Sequence, residues 1–221
     1  MGVGEARINI QPIGSWAAAI EPQNRPRAPE RHSPIHLAFL GFGSYGKGLG
    51  VLCDALLLLV PEIQRRVSID AHGPGVAEDM ARLAHSRPRF ASVRHGGRYD
   101  RADTLRHLDR VHAAVVPSIW HDNGPQTAIE ARALGVPVIG SRIGGIPDIV
   151  SDGVDGLLVR ANDRIDLARV IARCVTDPEL LARMRSRVRP WITMSQHVDA
   201  LFRIYESALL LRRRARHMET S

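Results

Sequence analysis

From Ile35 onward the chain alternates between two apolar patterns. Short apolar runs that end in glycine, serine or arginine recur at 35–42 ("IHLAFLGF"), 66–75, 91–99, 112–118 ("HAAVVPS"), 136–141 ("VPVIGS") and 155–160 ("DGLLVR"). Runs of this length between turn residues predict strands. Between them, apolar residues return every three or four positions. In 48–64, Leu49, Leu52, Cys53, Leu56, Leu59 and Val60 make one helix face. Helices are likewise expected over 75–86, 101–111 and 164–175, and in the stretch that opens at His121. Residues 145–153 read as a loop with a helical turn. A further helix is expected over 178–188, with Asp177 as its cap and Pro178 in the first turn. A long helix or kinked pair spans 191–214. Strand alternating with helix predicts an α/β domain, a parallel sheet wound on both faces.

The expected organisation has three parts. Residues 1–34 are a lead-in and linker: Glu21 to Pro34 carries four prolines and many charges, and "ARINIQPIGSW" before it reads as a short strand. Residues 35–190 form the sheet domain, and 191–221 a closing helix with a basic tail. Doubly wound sheets bind ligands at the C-terminal edges of their strands. The glycine-rich turns at 41–48, 73–75, 96–97 and 144–145 all fall on that edge, where backbone can approach a ligand closely.

The stretch "HDNGPQTAIEARALGVPVIG" (121–140) carries the most chemistry. The preceding strand brings Ser118 to the edge. Asp122 and Asn123 lie in the turn, Gly124 is the expected cap and Pro125 the first helical residue. The next amides, of Gln126 and Thr127, point out of the helix end. With the macrodipole they make an anion site. Glu130 lies just over one turn further on, and helical side chains lean toward the N-terminus, so it aims back at the same mouth. A carboxylate beside a phosphate repels it. Two acids flanking an anion site make sense if each accepts hydrogen bonds from hydroxyls while the amides hold phosphates. A ligand with hydroxyls on both sides of a diphosphate is a nucleotide sugar, with Glu130 on the ribose and Asp122 on the sugar. The plainer alternative for Glu130 is a solvated surface carboxylate, against which Ile129 and Ala131 argue for packed surroundings.

Composition changes this picture at three points. Lys47 is the only lysine among 30 Lys and Arg residues. A compact ammonium differs from a planar guanidinium, so Lys47, in the first glycine turn, is a candidate phosphate contact; chance survival is the alternative. The net charge of +7 raises nucleic acid as a partner, but aromatics are only 5% and do not interleave with the arginines, so none is expected. The one dense cluster, "LLLRRRARH", places Arg212, Arg213, Arg214 and Arg216 either against an anionic membrane surface or at a solvated helix end. Cys53 and Cys174 sit in apolar helical patterns and read as buried thiols. The ten histidines form no metal-ligand spacing. With no run near the roughly 18 apolar residues of a membrane span, a cytoplasmic protein is expected, peripheral at the inner face if the tail meets lipid.

An acid, seven intervening residues, then Glu, followed by "ARALGVPVIG", resembles the donor-binding half of retaining glycosyltransferases of the two-domain GT-B architecture, family 4 (glycosyl transferases group 1). Asp122 and Glu130 are the matching acids. "KG" at Lys47 and Gly48, "VVPSIW" before the acid, and "DGVDGLLV" after the double glycine match as well, so the likeness runs from about Ile35 to Tyr205. It implies a Rossmann-like domain and a UDP- or GDP-linked sugar donor, without a metal. Lys47 would contact the diphosphate and Gln126 and Thr127 would offer amides to it, with Gly46 also in the donor site; Glu130 would hold the ribose and Asp122 the transferred sugar, and Arg98 and Tyr99 fall where the base sits. Ser118, Asn123 and Gly124 complete the expected donor site. Asp122 and Lys47 are the candidate catalytic groups. Asp122 is one methylene shorter than the usual Glu, and Phe42 stands near a usual arginine. The resemblance also implies an acceptor half, binding a glycan or lipid-linked acceptor, which residues 1–34 cannot supply. A separate N-terminal partner chain is therefore expected, on which the apolar stripe Leu201, Ile204, Tyr205, Ala208 and Leu209 would pack. The alternative is a nucleotide-sugar-binding or protein-interaction module that catalyses nothing.

Overall fold

The apolar runs become six strands: β1 (Ile35–Leu40), β2 (Val67–His72), β3 (Ser92–Gly96), β4 (Ala113–Val116), β5 (Val138–Ser141) and β6 (Gly156–Val159). The computed structural model describes residues 11–20, 33–86, 90–177 and 179–219, with backbone only for 213–219. All strands pair in parallel, in the order β3-β2-β1-β4-β5-β6. β4, β5 and β6 are buried at every position, because helices cover both faces. The two-residue period sorts the side chains. Leu37, Phe39, Val115, Ile139, Leu157 and Val159 enter one core, with α1 (Leu49–Leu58), α3 (Ala77–His85), α7 (Arg164–Thr176) and α8 (Leu180–Arg185). Ala38, Leu40, Ala114, Val116, Val138 and Leu158 enter the other, with α4 (Arg101–Leu108), α5 (Gln126–Ala133) and α6 (Ile146–Ile149). This is a Rossmann-like fold. Its order reverses between β1 and β4, so a crevice opens where their C-terminal ends diverge.

Local boundaries depart from the sequence reading in several places. The helix expected over 48–64 breaks at Leu59 and Val60, both extended, and α2 (Pro61–Gln64) restarts on Pro61, whose ring cannot continue α1. The helix expected from Pro178 begins at Leu180. Glu179, not Asp177, holds the cap position; Asp177 accepts the Leu180 amide on its carbonyl at 3.1 Å and pairs its carboxylate with Arg183, in the helix itself, at 2.6 Å. The closing segment is one continuous helix, α9 (Met194–Glu219), rather than a pair. Of the expected strand over 6–16 the described part is a single bridge, Ser15 to Thr193, followed by one 3-10 turn, Trp16–Ala19. Residues 6–10, 21–32 and 178 and the side chains of Arg213, Arg214 and Arg216 lie outside the described residues.

Cys53 and Cys174 are buried and unpaired, and burial pushes both thiols up to about 12. No described side chain of α9 is buried: Tyr205 and Leu209 stand exposed with Phe202, Leu210 and Leu211, while Leu201 and Ile204 are half-buried. The outer face of β2 and β3 is polar. His36, Asp70, His72, Arg94, Arg106 and His107 line a cavity of about 720 Å³ there. The His72 and His107 rings stack with centroids 3.6 Å apart. Burial holds both imidazoles below their usual pKa. Among the described residues no group of three or more His, Cys, Asp or Glu side chains comes together as metal ligands, and no helix is long and apolar enough to cross a membrane.

Candidate active site

A cleft of about 240 Å³ occupies the crevice between β1 and β4. Phe39 to Phe42, Lys47, Tyr99, Val115, Val116, Ser118, Asp122 and Gly124 to Thr127 line it. The chain reaches it from β1 through a glycine turn that ends in a 3-10 turn, Tyr45–Lys47. Gly48 closes that turn in the left-handed region, at φ 75°. A Cβ there would lie 1.8 Å from the Pro117 carbonyl oxygen, so the turn rests directly on the backbone that leaves β4. The two loops are zipped together: the Gly46 carbonyl accepts from the Ile119 amide at 3.0 Å and from the Ser118 hydroxyl at 3.3 Å.

This contact brings the lone lysine to the first acid. Lys47 Nζ lies 2.7 Å from Asp122 Oδ2, with the two side chains 31% and 19% exposed. Nζ also stands 5.6 Å from the centroid of the Trp120 ring, against whose other neighbour, Gly46, the indole packs. The second oxygen of Asp122 accepts the Gly124 amide at 3.3 Å. Gly145 donates its amide to the Asp122 carbonyl at 2.7 Å. A Cβ on Gly144 or Gly145 would lie 2.4 Å from the Asp122 carbonyl oxygen or 2.1 Å from that of Asn123. The double glycine is thus what lets the acid turn lie flat on the loop after β5.

The helix start differs by one residue from the sequence reading. Pro125, not Gly124, is the cap, extended at φ −61° and ψ 115°, and its carbonyl takes the Ala128 and Ile129 amides. Gln126 and Thr127 therefore begin the helix ahead of that hydrogen-bond ladder, and both residues line the cleft. The Thr127 hydroxyl donates to the Leu40 carbonyl at 2.7 Å, which pins the mouth of α5 to the end of β1.

The structure gathers Lys47, Tyr99, Ser118, Asp122, Gly124, Gln126 and Thr127 on one cleft. Glu130, expected from the sequence at the same mouth, is not among the lining residues, though its charge reaches the Tyr99 hydroxyl. Its carboxylate is half-buried and accepts the Trp16 indole N–H at 2.9 Å. Burial raises its pKa, opposed by the Trp16 bond and the Arg101 charge. The Tyr99 hydroxyl is raised in turn, by burial first and then by the Glu130 charge. Gly46 contributes its carbonyl to loop packing and is not part of the lining. Arg98 is exposed outside it, and Asn123 faces a neighbouring cavity of about 350 Å³ with Ile13, Asp148 and Trp191. Sequence reasoning did not single out Trp16, which reaches Glu130 across 114 positions; no local pattern announces such a contact.

The glycosyl transferases group 1 family model matches residues 21–191. A D-inositol 3-phosphate glycosyltransferase of Thermobifida fusca is 34% identical over 94% of this chain and 51% of its own length. A glycogen synthase of Mycobacterium tuberculosis is 29% identical over 87% and 45%. The chain thus spans about half the length of the curated relatives it matches. Among solved structures, Anabaena HepE in complex with UDP and glucose superposes with a TM-score of 0.66 at 19% identity, over 80% of this chain and 50% of that one. The apo lipopolysaccharide outer core galactosyltransferase WaaB superposes at 0.72 and 17% identity, over 93% and 57%. With a family match over most of its length and a sheet like those of GT-B C-terminal domains, the chain belongs to the glycosyl transferases group 1 family.

Proposed function

We propose that this chain is the donor-binding half of a retaining family 4 glycosyltransferase, taking a sugar from a UDP- or GDP-linked donor. The observation that carries the reading is the meeting of Lys47 and Asp122, 2.7 Å apart, on the switch-point cleft that Gln126 and Thr127 also line. Within the protein the two charges satisfy each other. A bound diphosphate competes for Lys47, which frees Asp122 to accept hydrogen bonds from the sugar hydroxyls. The helix end and Lys47 then hold the negative charge that develops on the departing diphosphate, with no metal required. Glu130 takes the ribose hydroxyls and Tyr99, with Arg98, borders the base. HepE, whose structure holds UDP and glucose, supports this class of donor. Residues 35–190 are then the donor domain. The exposed row on α9 meets an acceptor half, and the acceptor is a glycan or a lipid-linked sugar.

Calorimetry with UDP and GDP tests the reading. Glu130→Ala is expected to weaken nucleotide binding by about 1.5–3 kcal/mol, the range for hydrogen bonds to a charged group, or about 10- to 150-fold in Kd. An unchanged Kd removes Glu130 from the site. Lys47→Arg is expected to bind more weakly too, because a guanidinium fork held over Trp120 does not place the same point charge. Equal affinity would make the lone lysine an accident of composition. Failure of both nucleotides to bind at millimolar concentration would end the donor-site reading. Nucleotide binding without transfer, even with an acceptor half supplied, would favour a non-catalytic module.

A further inference from the structure

Glu130 is not oriented by its own helix. Its Oε1 is held by an indole from the lead-in segment, 114 residues earlier in the chain. That segment is itself anchored. The Ser15 amide donates to the Ile192 carbonyl at 2.9 Å, Ser15 Oγ accepts the Ala17 amide at 3.2 Å, and Ala17 is fully buried. The Arg101 guanidinium carbon lies 5.5 Å from the centroid of the Trp16 ring. Trp16 is therefore fixed from below by backbone and from one side by a cation, with its single donor aimed at the acid. We infer that Trp16 is a positioning residue for the nucleotide subsite: it pins one oxygen of Glu130 and leaves the other to accept from the ribose hydroxyls of a nucleoside diphosphate.

The inference rests on the donor-site reading above. Its physical basis is the length of the glutamate side chain. An unpinned Glu samples many rotamers and loses that freedom on binding, whereas a carboxylate already held by a charge-assisted bond in a half-buried wall does not. The indole N–H also favours the ionised form, which is the form that accepts from hydroxyls.

The test uses the full chain, with UDP and inorganic pyrophosphate as separate calorimetric probes. Trp16→Phe keeps the ring and the Arg101 contact and deletes only the N–H. UDP binding is expected to weaken about 10-fold, the scale of one hydrogen bond to a charged group, while pyrophosphate affinity stays as in the parent. The acid limb of the UDP-binding profile is expected to move to higher pH, because the lost donor had lowered the Glu130 pKa; a merely structural role would not move it. In a Glu130→Ala background the same substitution is expected to cost nothing further. If Trp16→Phe binds UDP as tightly as the parent while Glu130→Ala does not, the positioning role is overturned and the donor site survives. Equal loss for UDP and pyrophosphate overturns it too, as a general disturbance. If Glu130→Ala is itself without effect, or the parent binds no UDP, the underlying reading fails and this inference goes with it.

Discussion

Alanine at Gly48 is expected to cost about 3–5 kcal/mol of folding stability and to abolish nucleotide binding, which puts it in the extreme tail of single substitutions. Two effects add. Gly48 sits at φ 75° and ψ 20°, a conformation that costs a side-chain-bearing residue about 1–2 kcal/mol. The added Cβ would then stand 1.8 Å from the Pro117 carbonyl oxygen, an overlap with backbone that no rotamer relieves. The loop after β1 must lift off the loop after β4. That breaks the Gly46 carbonyl's bonds to Ile119 and Ser118 and draws Lys47 away from Asp122. Urea unfolding and calorimetry with UDP measure the two halves of the claim. Gly97→Ala is the control, since its Cβ would meet nothing within 4 Å. A Gly48→Ala protein as stable as the Gly97→Ala one would show that the turn relaxes freely.

Asp155→Ala is expected to destabilise by about 3–5 kcal/mol, the cost of stranding a buried charge. Asp155 and Arg132 are 3.3 Å apart with side chains only 7% and 16% exposed. Asp155 also accepts the Ser151 amide at 2.8 Å, and Arg132 reaches the Ile149 carbonyl and lies 5.2 Å from the centroid of the Trp191 ring. The pair therefore ties α5, which carries the Gln126 and Thr127 amides, to the turn before β6. Removing the acid leaves a guanidinium in the wall with little water to replace its partner. Asp155→Asn keeps an acceptor for Ser151 and is expected to lose less. Arg132→Met combined with Asp155→Ala is expected to recover much of the loss, since an apolar pair of similar volume avoids the desolvation penalty. Denaturant titrations of the parent, Asp155→Ala, Arg132→Met and the double variant close the cycle. A double variant no better than Asp155→Ala would mean that the packing, not the charge, matters there.

What could be read from the residues alone was whatever depends on local period and local chemistry. The runs around Leu37, Val115 and Ile139 announce strands because a strand buried on both faces needs apolar residues at nearly every position. "KG" at Lys47 and Asp122 with Glu130 were legible because side-chain type and spacing along one loop and one helix are local quantities. Helix starts were missed by one residue at Pro125 and by two at Leu180, since both cap and first turn tolerate proline and acids, and φ and ψ choose between them. The break at Pro61 was passed over because the apolar face continues across it.

The tertiary structure decided which distant groups meet. That β1 and β4 are neighbours, so that Lys47 closes on Asp122 across 75 positions, follows from sheet order and from the glycine at 48, not from either motif. That Glu130 answers to Trp16 follows from the lead-in returning beside α5, where a single indole N–H finds a half-buried carboxylate. Pattern along a chain specifies elements because propensity and burial act over a few residues. A site depends on contacts at long separation, and those are chosen only when the whole core packs.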